Sequence, residues 1–145
     1  MELTSPAFQP GQPIPPAFTA KGNGISPPLM ISGAPSNAES LALVVHDPDA
    51  PSGDFTHWVM WNISGTATVL PEGQLPTGAA QGVNDFNRVG YGPPAPPSGT
   101  HTYVFDIYAL NTQLPIKTGA TLAQLLAAME GHIIAKAQLT GTVSA

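Results

Sequence analysis

The sequence predicts a single domain rich in strands and loops, with one helix near its C-terminus, and three observations carry that expectation. Seventeen prolines and 15 glycines in 145 residues interrupt the chain too often for long helices and suit short strands joined by turns. The stretch from His101 to Leu110 alternates cleanly, placing His101, Tyr103, Phe105 and Ile107 on one face and Thr102, Val104, Asp106 and Tyr108 on the other. Strong helical spacing occurs once, at Leu122, Leu125, Leu126, Met129 and Ile133, behind Thr121 and Gln124 in a capping-box arrangement. The predicted helix runs from 121 to 138, with Gly141 as its stop signal. Gly131 inside it costs about 1 kcal/mol relative to alanine, so close packing or a local break is expected there.

The other elements follow in chain order. From Phe8 to Phe18 the prolines at 10, 13, 15 and 16 favour an extended path, anchored by Phe8, Ile14 and Phe18. Leu29-Met30-Ile31 reads as a short strand closed by Gly33 and Pro35. Leu41 to Val45 is apolar at every position, which marks a strand buried on both faces. His57 to Ile63 is a further interior strand, with His57, Val59, Trp61 and Ile63 expected on one face and Trp58, Met60 and Asn62 on the other. A short strand at 66–70 precedes a long loop from Gly73 to Gly99, and loops of that length in compact domains usually carry function.

Composition excludes several classes. Four Lys plus Arg against nine Asp plus Glu give a net charge of −5, so no basic stripe is present for nucleic acid and no polybasic patch for an anionic membrane surface. The absence of cysteine removes disulfides and thiolate metal sites and fits a reducing, cytoplasmic setting. Neither a signal segment nor a membrane span is visible. Hydrophobic residues make up 42% of the chain and charged ones 9%, which leaves surface for a homodimer contact.

The densest ionisable cluster follows the most apolar run. Asp47-Pro48-Asp49-Ala50-Pro51 stops the strand that begins at Leu41, because proline removes a backbone donor and restricts its predecessor. Asp47 and Asp49 are thereby held in a stiff loop, where they either cap a turn or face a ligand. Asp47–Pro48 or Ala50–Pro51 is expected to be a cis peptide. A turn at Ser52-Gly53-Asp54 brings in His57 beside Trp58. His101 and Tyr103 share a strand face just after the Gly-Pro-rich loop, and imidazole, phenol and glycine amides suit a small oxyanion. Otherwise His101 bonds a loop carbonyl and Tyr103 packs in the core.

Asp47-Pro48-Asp49-Ala50-Pro51, His57-Trp58-Val59, Gly92-Pro93-Pro94 and Gly99-Thr100-His101-Thr102-Tyr103 occur in an order that resembles the phosphatidylethanolamine-binding protein family. Gly82-Val83-Asn84-Asp85-Phe86 and Ala128-Met129-Glu130-Gly131-His132 are similar to its short bacterial and archaeal Raf kinase inhibitor-like branch. The resemblance implies a large antiparallel sheet packed on a smaller one, a C-terminal helix, and a surface pocket for phosphate-like anions and phospholipid head groups. It carries Asp47, His57, Gly92 (through its amide), His101 and Tyr103 over as ligand-binding residues, with Asp49, Pro51, Phe55 and Trp58 as pocket wall. Two departures stand out: Thr102 occupies a position where the family usually has arginine, and the short loop before His57 lacks the tyrosine of longer relatives.

The function expected is the binding of a small anionic or zwitterionic ligand, with a protein partner nearby. One alternative is an enzyme using Asp47, His57 and His101 for general acid/base chemistry on a small carbonyl or ester substrate. Another is inhibition of a kinase or protease, which rests on family analogy. No Gly-x-Ser-x-Gly elbow and no His-Glu-x-x-His motif is present, and no metal or cofactor is predicted.

Overall fold

The computed structural model describes residues 1–145. In chain order its elements are β1 (Glu2–Thr4), a 3-10 turn (Pro16–Phe18), β2 (Leu29–Ser32), β3 (Ser40–Asp47), β4 (Phe55–Ser64), β5 (Val69–Leu70), β6 (Ala80–Gln81), β7 (Thr100–Leu110), α1 (Leu122–Met129) and β8 (Ile133–Ser144). All strand pairs are antiparallel, and they form a large sheet in the order β6-β4-β3-β7-β8 and a small one in the order β1-β2-β5.

The apolar run from Leu41 to Val45 lies in β3, the middle strand of the large sheet, with a packed layer on either side. Leu41, Leu43 and Val45 meet Leu3, Leu29, Ile31 and Leu70 of the small sheet, and Phe8, Ile14 and Phe18 close the same core from the N-terminal segment. Ala42 and Val44 face the other layer, where Leu125 and Met129 of α1 pack on Val59, Trp61 and Leu110. A strand between two apolar layers loses the usual alternation with polar residues, which is why this one reads as continuous.

Two expectations about the C-terminal third are corrected. The capping box at Thr121 forms, but the helix stops at Met129 instead of running to 138. Gly131 takes a left-handed φ of 80° and His132 N–H closes on Met129 C=O at 2.9 Å, so the chain turns out of the helix there. Residues 133–144 then pair with β7 from Leu110↔Ile133 to Thr100↔Ser144. Ala135, Ala137, Leu139 and Val143 reach the inter-sheet core at period two, and the pairing satisfies an edge of β7 that a longer helix would have left open. Gly141 belongs to this strand: a Cβ there would lie 2.6 Å from Ile14 Cγ1 and 2.8 Å from Phe8 Cε2, so its lack of a side chain admits the N-terminal anchors.

The faces of β4 are also corrected. Partners jump from Leu41↔Ile63 to Leu43↔Met60 and from Val45↔Trp58 to His46↔Thr56, so β4 carries an extra residue at each place. Asn62, at φ 55°, marks the first bulge, which returns Ile63 to the inter-sheet core beside Trp58 and Met60 and away from Val59 and Trp61. His57 falls in the second. One inserted residue reverses the faces of a strand, so plain alternation could not place either side chain.

Every peptide bond is trans, which overturns the cis expectation at Asp47–Pro48 and Ala50–Pro51. Two overlapping turns, closed by Ala50 N–H to Asp47 C=O at 3.5 Å and Gly53 N–H to Ala50 C=O at 3.1 Å, reverse the chain with trans prolines. No helix is long and apolar enough to cross a membrane.

Candidate functional site

At one end of the large sheet, the C-terminal end of β3, the bulge of β4 and the start of β7 place Asp47, His57, His101 and Tyr103 around one cavity of about 180 Å³. Pro51 and Phe55 line the same cavity, with Ala50 and Ser52 of the proline loop, Phe86, and Ala95-Pro96-Pro97 of the long loop. The bulge re-aims His57: its ring lies 4.9 Å from Phe55, 5.4 Å from Phe86 and 5.1 Å from Tyr103, centroid to centroid.

Both histidines are fixed through Nδ1. His101 Nδ1 donates to Asp47 Oδ2 at 2.6 Å, and His57 Nδ1 donates to the carbonyl of Gly92 at 2.7 Å. No buried side-chain nitrogen or oxygen lacks a partner, and neither Nε2 has one within the protein, so both Nε2 atoms open to the cavity. A neutral imidazole whose Nδ1 carries the proton presents Nε2 as an acceptor, and protonation turns it into a donor. Burial lowers the His57 pKa, outweighing its Gly92 bond and the Asp47 and Asp85 charges. Burial and the neighbouring Asp47 charge push Tyr103 well up, so its hydroxyl stays protonated.

Asp47 both caps a turn and serves the site, since Oδ1 accepts from Asp49 N–H at 2.9 Å while Oδ2 holds His101. Three residues expected at the site lie elsewhere. The Asp49 carboxylate turns away from the cavity and accepts from Thr102 N–H at 2.8 Å, which ties the proline loop to β7. Trp58 faces the inter-sheet core and donates Nε1–H to Gln81 Oε1 at 2.8 Å. Gly92 contributes its carbonyl to His57, but its amide is spent on His57 C=O at 2.8 Å, and the Gly90 amide is spent on Gly82 C=O at 3.2 Å. Ladder-like bonding of this loop therefore removes the glycine donors expected for an anion. Phe86 was missed because nothing in its immediate sequence shows that its loop folds back over β4.

A second polar cluster sits on the opposite face of the sheet. His46 contacts Asp54 through Nδ1 at 2.8 Å and Asp106 through Nε2 at 3.0 Å. Gln138 donates to the other Asp106 oxygen at 2.9 Å, and Lys136 Nζ lies 3.9 Å from it. The Asp106 bond raises the His46 pKa against burial, with Asp54 adding to it. Asp106 is held below the usual carboxylate range, because His46, Gln138 and Lys136 together outweigh its burial. The cluster ties Asp54, the end of the proline loop, to His46 of β3, and His46 in turn to Asp106 of β7.

Because folding raises the His46 pKa, its contribution is full below the unfolded value of about 6.5 and fades as pH rises through the higher folded value. His46→Gln is expected to cost about 1–2 kcal/mol near pH 5.5 and clearly less near pH 9, with Asp54 supplying little because it is exposed. Urea unfolding of both proteins at the two pH values measures this, and an equal loss at both would mean that His46 is neutral in the fold.

The sequence pattern of the family described as phosphatidylethanolamine-binding protein matches residues 4–144. The UPF0098 protein of Chlamydia muridarum is 49% identical over 98% of this chain and 97% of its own length. A UPF0098 protein of Methanothermobacter thermautotrophicus is 47% identical over 97% of each. A crystal structure of a phosphatidylethanolamine-binding protein homologue from Chlamydia trachomatis superposes with a TM-score of 0.96 at 46% identity, covering 99% of this chain and 97% of that one. E. coli YbcL, described as a new member of the mammalian family, superposes at 0.92 with 33% identity, covering 99% and 98%.

Proposed function

The chain belongs to the phosphatidylethanolamine-binding protein family, and from that premise we propose that it acts as a single-domain binding protein whose cavity holds a small phosphate-like anion or a phospholipid head group. The observation that carries the reading is the pair of imidazole Nε2 atoms of His57 and His101 presented to one small cavity, with Asp47 behind His101. At about 180 Å³ the space equals roughly six waters at about 30 Å³ each. It lies below the range of about 300–1,000 Å³ for drug-sized ligands, which suits a head group. Aromatic and proline side chains on its walls lower the local dielectric, which strengthens the electrostatics inside. Ser52 lies on the cavity but hydrogen-bonds to neither imidazole, so the site offers no activated nucleophile.

An anion needs donors, and a neutral His57, its Nδ1–H spent on Gly92 and its pKa lowered by burial, presents Nε2 as an acceptor. Binding is therefore coupled to proton uptake, or to a ligand that brings its own proton as a phosphate monoanion. Because burial depresses the His57 pKa, its protonation in the free protein begins below the usual value of about 6.5, and a bound anion shifts it back up. Glycerol phosphate titrated by calorimetry between about pH 5.5 and pH 8 is expected to bind more tightly toward acid. His57→Ala and His101→Ala should each weaken it about tenfold at the acid end. Affinity that is flat with pH and unchanged in both variants would place the ligand elsewhere.

A further inference from the structure

Phe86 and Ala95 separate the first cavity from a second one of about 320 Å³. The second is lined by Tyr91, Gly92, Pro93 and Asn84, and by Arg88, the single arginine of the chain. Its polar groups are nearly all committed. The Asn84 amide donates to Gly90 C=O at 3.0 Å, and Tyr91 O–H donates to Phe18 C=O at 2.6 Å. Gly92 N–H is spent on β4. The exposed Arg88 guanidinium alone has no protein partner: the ion pairs of the chain belong to His46, His101 and Lys136. In a protein of net charge −5, a guanidinium left without a carboxylate is a ready partner for an external anion.

We propose that the second cavity is a subsite for a second acidic group, carboxylate or phosphate, of the same ligand whose first phosphate-like group lies against His57 and His101. The ligand class is then a small molecule acidic at both ends. This deepens the anion reading of the first cavity and rests on it. A zwitterionic head group is disfavoured on the same grounds, since no carboxylate lines the second cavity and an ammonium there would meet only Arg88. The first cavity has one carboxylate, Asp47, and it is already engaged by His101. The two cavities adjoin, since Phe86 and Ala95 line both, and neighbouring subsites suit a short ligand.

The test compares inorganic phosphate, phosphoglycerate and phosphoethanolamine by calorimetry near pH 6, with wild type, Arg88→Gln, Lys117→Gln and His101→Ala. Lys117 is exposed and lies on α1's side of the molecule, away from both cavities, so its variant removes the same charge without touching the subsite. Phosphoglycerate is expected to bind wild type about fivefold or more tightly than phosphate, with phosphoethanolamine no tighter than phosphate. Arg88→Gln should bring the phosphoglycerate-to-phosphate ratio to about one, and Lys117→Gln should keep it. If phosphate binding depends on His101 but the ratio does not depend on Arg88, or falls equally in Lys117→Gln, the subsite is wrong and the first cavity stands. Tighter binding of phosphoethanolamine than of phosphoglycerate overturns the class in favour of a zwitterion. No binding of any of the three overturns both readings.

Discussion

Asp47→Ala is expected to lose about 2–4 kcal/mol of folding stability and, at the same time, the acid-strengthened binding of phosphate esters. Asp47 is 3% exposed and its two oxygens serve different groups, His101 Nδ1–H at 2.6 Å and Asp49 N–H at 2.9 Å. Alanine leaves both donors unpaired. Asp49 is exposed and its amide can take water, so the larger cost lies with His101, which is 8% exposed and has no other acceptor at Nδ1. Free of the carboxylate, the ring can also turn, which withdraws Nε2 from the cavity. Asp47→Asn separates the two effects: its carbonyl oxygen still accepts from Asp49 N–H, while its amide meets His101 as a donor and forces the opposite tautomer. Urea unfolding should place this variant between wild type and alanine. A loss below about 1 kcal/mol for alanine would show that His101 finds another partner, and the pair would no longer explain the position of the ring.

Architecture was legible wherever burial and period agree. Leu41–Val45 and His101–Leu110 face the layers that their patterns imply, and Phe8, Ile14 and Phe18 all lie in the inter-sheet core. The pattern misled where two periods overlapped. From Leu122 to Ile133 the apolar spacing is helical, yet Ala135, Ala137, Leu139, Gly141 and Val143 already alternate, and the break falls at the one residue, Gly131, that can take φ 80° without cost. Bulges defeat a period-two reading for a different reason. They are set by the partner strand, and nothing in His57-Trp58-Val59 announces that His46 pairs with Thr56 while Val45 pairs with Trp58.

Within the site, the same division holds. Asp47, His57, His101 and Tyr103 could be brought together from strand ends and motif order. The second halves of their hydrogen bonds could not, because they depend on where the loop from 82 to 97 lies. That loop spends its Gly90 amide on its own Gly82 and its Gly92 amide on β4, and offers Phe86 in their place. The cluster of His46, Asp54 and Asp106 escaped for a simpler reason. Its members are eight and 52 residues apart and converge only because β3 and β7 are neighbours, with His46 beside Val104. A histidine next to the Asp-Pro motif reads as part of it, yet alternation along β3 sends His46 to the face opposite Asp47.

Asn84→Ala is expected to release the wall between the two cavities and weaken binding in both. Asn84 is 3% exposed and fastens its loop three times: Oδ1 accepts from Phe86 N–H at 2.9 Å and Arg88 N–H at 3.3 Å, and Nδ2 donates to Gly90 C=O at 3.0 Å. Phe86 and Arg88 are exposed, so water can replace the two bonds to Oδ1. The Gly90 carbonyl lies in a buried residue, and leaving it unpaired sets the cost at about 1–3 kcal/mol. Backbone bonds of Asp85 to Thr56 C=O at 2.9 Å and of Asn87 to Asn84 C=O at 3.0 Å remain, so the loop stays attached while its tip loosens. The Phe86 ring packs on Phe55 at 4.8 Å and on His57 at 5.4 Å, and a Cβ on Gly92 would lie 2.5 Å from it. Its place is thus defined on both sides, and a small backbone shift at 84–88 moves it off the imidazole. Calorimetry with phosphate and phosphoglycerate should show at least about a fivefold loss for each in folded Asn84→Ala. Exchange of the Phe86 and Arg88 amides, followed by NMR, should accelerate in the same protein. Affinities within twofold of wild type, with accelerated exchange, would mean that the wall contributes no binding energy and that the imidazoles alone define the site.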